Sequence, residues 1–360
     1  MIPYLITYAI VLILTAYAQA TYNKNKKMSY LISFICILLL STFAALRGLN
    51  VGKDISVYGT KIFDLANDYE NLIDYIGTGK AEIGYMLINF IVSRIFGNIH
   101  ALFFLLEFFN IACIYRIAYR DRNNGTFIFY ILTYLLLWNN ASFNIIRQSI
   151  SMIIILYSYT FLEQKKIKHY IASVAIAFLF HKSSIIALIN PLLSKLTDDK
   201  KIKTRYLAAL SIVYVILIIN IRSIMSFLIT VFPTFKYYYN YLDRPGNFSL
   251  AYFLTICLIL ITTVVFSKYM NEKKNCNLLT CSVFLFTLLY TTSLSFEYGY
   301  RIAYPFILYY VYLIPRIDNS LEKHNGRTFF RIAIICVLLI HWFLRCSYYD
   351  ATIPYTWFWQ

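Results

Sequence analysis

Charge is scarce in this chain, and acidic charge scarcer still: Asp, Glu, Lys and Arg make up 14% of its 360 residues, 17 acidic against 33 basic. The room is taken by apolar residues, 60% of the total with a mean hydropathy of +0.61, against roughly 45 to 50% in a soluble domain. They fall in long blocks, which excludes an ordinary soluble fold and indicates a polytopic membrane protein. Metal-ligand spacing is absent as well. The seven cysteines form no CxxC and no Cys/His pattern, and Cys36, Cys113, Cys257 and Cys336 sit inside apolar runs, where they read as small core residues. No internal repeat and no low-complexity segment is present. The formal charge of +16 is spread in short clusters between apolar runs, so it marks topology and not a nucleic-acid-binding face.

About 12 spans of about 20 residues with short loops use nearly the whole length, so residues 1–360 are expected to form one integral membrane domain, an all-α helical bundle. The first apolar run, 1–20, ends in Ala18-Gln19-Ala20 like a cleavable leader. It has no preceding Lys or Arg, however, and Lys24, Lys26 and Lys27 follow it, an order that predicts an uncleaved span with its N-terminus outside. Further spans are expected at 29–46, 101–119, 126–143, 147–162, 169–180, 184–196, 206–221, 250–266, 278–296, 302–315 and 329–345. The clusters Lys165/Lys166/Lys168, Lys200/Lys201/Lys203, Lys268/Lys273/Lys274 and Arg316/Lys323/Arg327 hold alternate loops on the inner face. An external amphipathic segment is placed at 48–81. Within it Ile55, Tyr58, Ile62, Leu65, Tyr69, Leu72 and Ile76 recur every three or four residues, a stripe that predicts one helix lying on the outer membrane surface. An external loop is placed at 222–249, where the tyrosine run at 237–241 reads as an interfacial belt.

Residues 82–97 are too short and polar for a comfortable span. Because only an odd number of crossings joins an outer Arg47 to an inner Arg120, this segment is expected to be a re-entrant or interfacial helix; an ordinary hairpin of two spans is the competing reading and would invert the topology that follows. The aromatic C-terminus, with Trp357 and Trp359, is then outside as an anchor, and Arg345 reads as a snorkelling residue at a span end.

With that topology Arg47, Arg147, Lys182 and Arg301 collect at the outer ends of spans. Arg147 stands out because Asn144 and Gln148 flank it at helical spacing and give it a polar face. His181 ends the next span, and the short connection at 163–168 makes the two helices antiparallel neighbours. An Arg fork binds phosphate bidentately and stabilises charge on a departing diphosphate. His181 can act as base or donor, and Asp54, Glu82 and Glu297 are carboxylates able to orient or deprotonate a hydroxyl. For Glu82 and Glu297 a simple ion pair with Arg94 or Arg301 is the alternative. The inventory suits a lipid diphosphate.

The outer-face motifs are Arg47-Gly48 with Val51-Gly52-Lys53-Asp54 and Tyr58; Glu82-Ile-Gly84-Tyr85; Asn144-Ile-Ile-Arg147-Gln148; and His181-Lys182-Ser183-Ser184, with the Glu297-Tyr-Gly-Tyr-Arg301 patch in the second half. Together they resemble the EpsG/Wzy-like family of bacterial O-antigen, capsule and exopolysaccharide polymerases. The resemblance implies a glycosyltransferase in the bacterial cytoplasmic membrane, its active site facing outside. It would transfer a growing glycan from undecaprenyl diphosphate to a sugar hydroxyl on another lipid-linked repeat unit. It further implies no metal and no other cofactor. The expected partners are membrane lipids and the lipid-linked oligosaccharide donor and acceptor, with a chain-length regulator left open and no nucleic acid. On this reading Arg147, His181, Asp54 and Glu82 are candidate catalytic residues. Arg47, Tyr58, Tyr85, Asn144, Gln148, Lys182, Glu297 and Arg301 are candidate substrate-binding residues. An O-antigen ligase, a membrane O-acyltransferase centred on His181 and a lipid-linked oligosaccharide flippase are the competing functions.

Overall fold

A computed structural model describes residues 1–197, 204–231, 244–270 and 273–360. Among them the chain is helical, and the sole β-type pairing is an isolated bridge between Arg47 and Trp357. Helices α1 (Ile2–Thr21) and α2 (Lys26–Ala45) form an antiparallel hairpin, with the Asn25 side chain accepting from the Met28 N–H to cap α2. Next come α3 (Thr60–Asp68), α4 (Leu72–Gly77), α5 (Ile83–Phe96), α6 (Ile99–Arg120), α7 (Phe127–Tyr134) and α8 (Asn140–Asn144), a π-helical turn at Leu135–Asn139 separating the last two. The central pair is α9 (Ile146–Glu163) and α10 (Ile167–Phe178). A 3₁₀ turn at Lys182–Leu188 leads into α11 (Ile189–Leu196), α12 (Thr204–Ile219) and α13 (Ile221–Val231). The chain closes with α14 (Leu250–Ser267), α15 (Lys273–Tyr290), α16 (Tyr304–Ile307), α17 (Tyr310–Ser320) and α18 (Arg327–Leu344).

Six helices among the described residues are long and apolar enough to cross a membrane, or seven if the pair at 207–231, bent by 72°, is one span. The expected count of about 12 is not reached by these helices. The reason lies in what the helices face. Residues 127–144 are buried almost throughout, and α9, diluted by Ser149, Ser151 and Ser158, is nearly as buried. A helix shielded from lipid by other helices tolerates breaks and polar residues that a lipid-facing one does not. By contrast α1 and α14 present Ile6, Ile10 and Ile13, and Leu254, Leu258 and Ile261, outward.

The segment at 48–81 differs from expectation in two ways. It is not one helix: α3 stops at Asp68, the chain extends through Tyr69, and Asn71 caps α4 by accepting from Ile73 N–H at 2.8 Å. The stop is fixed from outside, since the Arg94 guanidinium donates to the Ala66 and Tyr69 carbonyls that end α3. Its apolar stripe also faces protein. Ile55, Ile62, Phe63 and Tyr75 are buried with Tyr85, Met86, Leu102 and Phe103 in a second core beneath the segment.

Both ends of α5 sit at one end of the bundle. Its N-cap Glu82 meets Arg147 at the start of α9, and just past its C-terminus His100 Nδ1 lies 2.6 Å from the Ala45 carbonyl that ends α2. Hence α6 alone carries the chain to the opposite end, where Arg316 is bonded bidentately to Asp121 at 2.6 and 2.9 Å and to Glu163 at 2.8 Å. The tyrosine run at 237–241 lies outside the described residues, and the start of the expected 222–249 loop is helical instead, since α13 runs to Val231.

Candidate functional site

At the first of these ends a cleft of about 240 Å³, counted out to its open mouth, is lined by Asp54, Tyr58, Asn144, Ile145, Ile146, Arg147, Gln148, His181 and Arg301. Five chain segments meet there. Two of them are set by the break between α8 and α9: Ile145 leaves the helical region with φ −91° and ψ 58°, which ends one helix at Asn144 and starts the next with Arg147 on the cleft side. Opposite, Gly84 lets α5 approach α10 closely. Its N–H donates to the Leu179 carbonyl at 2.8 Å, and a Cβ at this position would stand 2.9 Å from that oxygen. This contact puts Glu82 beside His181.

Glu82 organises one half of the site. It is paired with Arg147, and its Oε1 lies 3.3 Å from His181 Nδ1 without hydrogen-bond alignment. Burial pushes the Glu82 carboxyl up, but His181 and the Arg147 charge outweigh it and hold the group at about 2. Burial also pushes the His181 imidazole below its usual value, by more than the Glu82 carboxylate restores, so the ring is neutral at neutral pH. The Tyr58 ring stacks on the Arg147 guanidinium at 3.6 Å, and Tyr85, fully buried, donates to the Tyr58 carbonyl at 2.7 Å.

Arg301 and Asp54 form the other half. Arg301 Nη2 donates to both Asp54 oxygens at 3.1 and 3.3 Å, and the Tyr298 ring lies 4.6 Å from the same guanidinium. Burial works against the Arg301 charge, yet the Asp54 carboxylate holds its pKa above the usual arginine value. Gln148 Nε2 donates to the Arg301 carbonyl at 2.8 Å and to Ser183 Oγ at 3.1 Å. Asn144 Oδ1 accepts from the Asp54 N–H at 2.8 Å. Gln148 Oε1, His181 Nδ1 and Arg301 Nε are buried polar atoms without a partner, all on residues that line the cleft.

Of the sequence candidates, Arg147, His181, Asp54, Tyr58, Asn144, Gln148 and Arg301 line the cleft, while Glu82 and Tyr85 support it from behind. Three stand apart. Arg47 is 2% exposed with its guanidinium 4.0 and 4.6 Å from the Phe103 and Phe143 rings, donating to the Ala44 carbonyl at 2.9 Å. Burial lowers its pKa to about 10, leaving it charged but enclosed. Glu297 is paired with Arg244 at 3.0 Å instead of Arg301, and Lys182 is not among the lining residues.

Two neighbours escaped the sequence reading. Arg345 is no snorkelling anchor: it is 2% exposed and bonded to Asp350 at 2.7 Å. Asp350 in turn accepts from Asn144 Nδ2 at 3.2 Å. Nor is the C-terminal segment a loose anchor. Gly48 N–H donates to the Thr356 carbonyl at 2.8 Å, and Tyr355 stacks on Phe43 at 4.4 Å. An Asp five residues after a terminal Arg was the only available signal, and an apolar run ending in Arg hides it.

The EpsG family profile matches residues 30–357. The chain belongs to the EpsG family. This is a Wzy-like polymerase family, and membership together with the apolar helices identifies a membrane-associated helical protein with a polysaccharide-polymerase role of the glycosyltransferase type. No curated protein and no solved structure matches the chain. The family match takes in every cleft residue from Asp54 to Arg301 and runs past Asp350. Among the described residues of this EpsG-family chain, no group of three or more His, Cys, Asp or Glu side chains is placed to hold a metal ion.

Proposed function

We propose that this EpsG-family protein transfers a growing glycan from undecaprenyl diphosphate to a sugar hydroxyl on a second lipid-linked repeat unit, at the outer face of the bacterial cytoplasmic membrane. The observation that carries this reading is the meeting of two arginines, a neutral histidine and a free amide oxygen in one cleft at the end of the bundle. The outward orientation is supported by charge: Lys24, Lys26, Lys27, Arg120, Arg122, Lys165 and Lys166 gather at the opposite end.

In the proposed step the bond between the donor sugar's anomeric carbon and the diphosphate oxygen breaks as a new glycosidic bond forms to the acceptor oxygen. The acceptor proton passes to His181, and the lipid diphosphate leaves with its negative charge. Arg147 and Arg301 are assigned to that charge, because half-buried guanidinium forks stabilise it where it develops. Among the candidate bases His181 fits best. Glu82 is held at about 2 by its neighbours and lies behind the cleft, and both oxygens of Asp54 are engaged by Arg301. A neutral imidazole in the cleft, with the Glu82 carboxylate 3.3 Å from its Nδ1, suits the role of general base. Gln148, whose Oε1 is free, is assigned to the sugar hydroxyls, and Tyr58 to the wall over Arg147.

The test is to express Arg147→Ala and His181→Ala at matched levels in a strain lacking the chromosomal copy. Both should abolish the ladder of chain lengths and leave single-repeat glycolipid. A normal ladder from either variant removes that residue from the mechanism, and accumulation of long lipid-linked polymer in the deletion strain would make the protein a ligase.

A further inference from the structure

Behind the cleft lies an ion pair for which the proposed reaction has no direct use. Arg345 and Asp350 are 2% and 1% exposed, and the Trp138 and Tyr304 rings enclose the guanidinium at 4.5 and 4.6 Å. Replacing a buried ion pair by apolar side chains is often neutral or stabilising, so stability alone is a weak reason for it. Its connections suggest another. Asp350 uses one oxygen for Arg345 Nε at 2.7 Å and the other for Asn144 Nδ2 at 3.2 Å, and Asn144 Oδ1 accepts from the Asp54 N–H. The next residue, Ala351, accepts from Gly52 N–H at 3.1 Å. Gly52 has φ +106° and sits where a Cβ would be 2.9 Å from the Phe143 carbonyl oxygen. The Asp54 loop, the α8–α9 break and the segment after α18 are thus joined at one point.

We infer that Asp350, held by Arg345, is a positioning residue that fixes the orientation of the Asn144 carboxamide and, through it, the seat of Asp54 against Arg301. A carboxamide can turn either its oxygen or its nitrogen to a neighbour. Here the two neighbours make opposite demands. The Asp54 N–H can only donate and so takes the oxygen; the Asp350 carboxylate, paired with Arg345, accepts and so takes the nitrogen. Arg345 holds the other oxygen of that carboxylate, so Asp350 does not stand as an unpaired charge in a buried site. An asparagine at 350 could itself donate or accept, and the constraint on Asn144 would be gone.

The inference rests on the proposed function only for its consequence, not for its geometry, so two readouts are used. The first needs no substrate: amide hydrogen exchange of the purified full chain in detergent, read on peptides covering 50–58. Asp350→Asn should speed exchange at the Asp54 amide about 5- to 10-fold, the effect of losing one ordinary hydrogen bond, while peptides in α9 stay protected. Should Asp350→Asn fold poorly with Arg345 unpaired, the double variant Arg345→Met/Asp350→Asn removes both charges and should show the same local exchange. The second readout is a cycle on the chain-length ladder. Asp350→Asn should cut polymer about 10-fold in the wild-type background and less than 2-fold in Asn144→Ala, because both act through one contact. Unchanged exchange at 50–58 overturns the positioning role whatever the ladder does. Equal losses in both backgrounds overturn it in favour of a general stability effect. A wild-type chain that makes no polymer defeats the proposed reaction, and the exchange result still decides the positioning.

Discussion

Replacing Glu82 by Gln removes a charge and almost nothing else. Glu82 is 9% exposed and its carboxyl is held at about 2 against a usual 4.5. At about 1.4 kcal/mol per pH unit, that difference amounts to about 3 kcal/mol of folding free energy. The figure agrees with the roughly 3 to 5 kcal/mol lost when one partner of a buried ion pair is removed. The sign follows from the lowered pKa: the contribution is complete above about pH 4.5 and disappears as the pH falls toward 2. Denaturant unfolding of the full chain in detergent at a series of pH values is the assay. Glu82→Gln should be about 3 kcal/mol less stable than wild type at pH 7, and the two curves should converge near pH 2. Equal stability at pH 7, or a gap that persists at pH 2, would show that His181 and Arg147 together do not stabilise the Glu82 charge as assigned.

Three further outcomes are expected. Because burial lowers the pKa of His181, the acid limb of the pH–rate profile should lie below pH 6.5, and His181→Gln should flatten the loss of stability that wild type shows as pH drops below that value. Gly84→Ala should cost about 1 to 3 kcal/mol and cut polymer yield, since a methyl group 2.9 Å from the Leu179 carbonyl oxygen forces α5, and Glu82 with it, away from His181. Arg47→Ala should lower polymer only in proportion to the folded protein it costs, whereas Arg147→Ala should also lower the polymer made per molecule of folded protein, because only Arg147 lines the cleft; quantitative immunoblots set beside the ladder separate the two.

Arg147, Asn144 and Gln148 were legible as a site because a charge and two amides between apolar runs have few bland explanations, and His181 followed from a short connection between helices. Charge parity predicts a re-entrant or interfacial helix at 82–97, and both ends of α5 sit on the cleft end of the bundle. Arg47 misled, because an Arg at a span end looks the same in sequence whether it faces a ligand or two phenylalanine rings. The apolar stripe from Ile55 to Ile76 showed correctly that one face is buried, but periodicity does not distinguish lipid from protein as the covering phase. Asp350 was invisible for a different reason: its partner Asn144 is 206 residues away, and only the folded chain brings them together.

The pairing of each cleft arginine with its own carboxylate also bears on how an anion would arrive. Arg147 with Glu82 and Arg301 with Asp54 cancel within the site, so little field extends beyond the mouth to draw in a charged headgroup. Capture then depends on exchange of partners at contact. Association should be slow for so polar a ligand and nearly indifferent to ionic strength, with discrimination exercised in the residence time and not in the encounter.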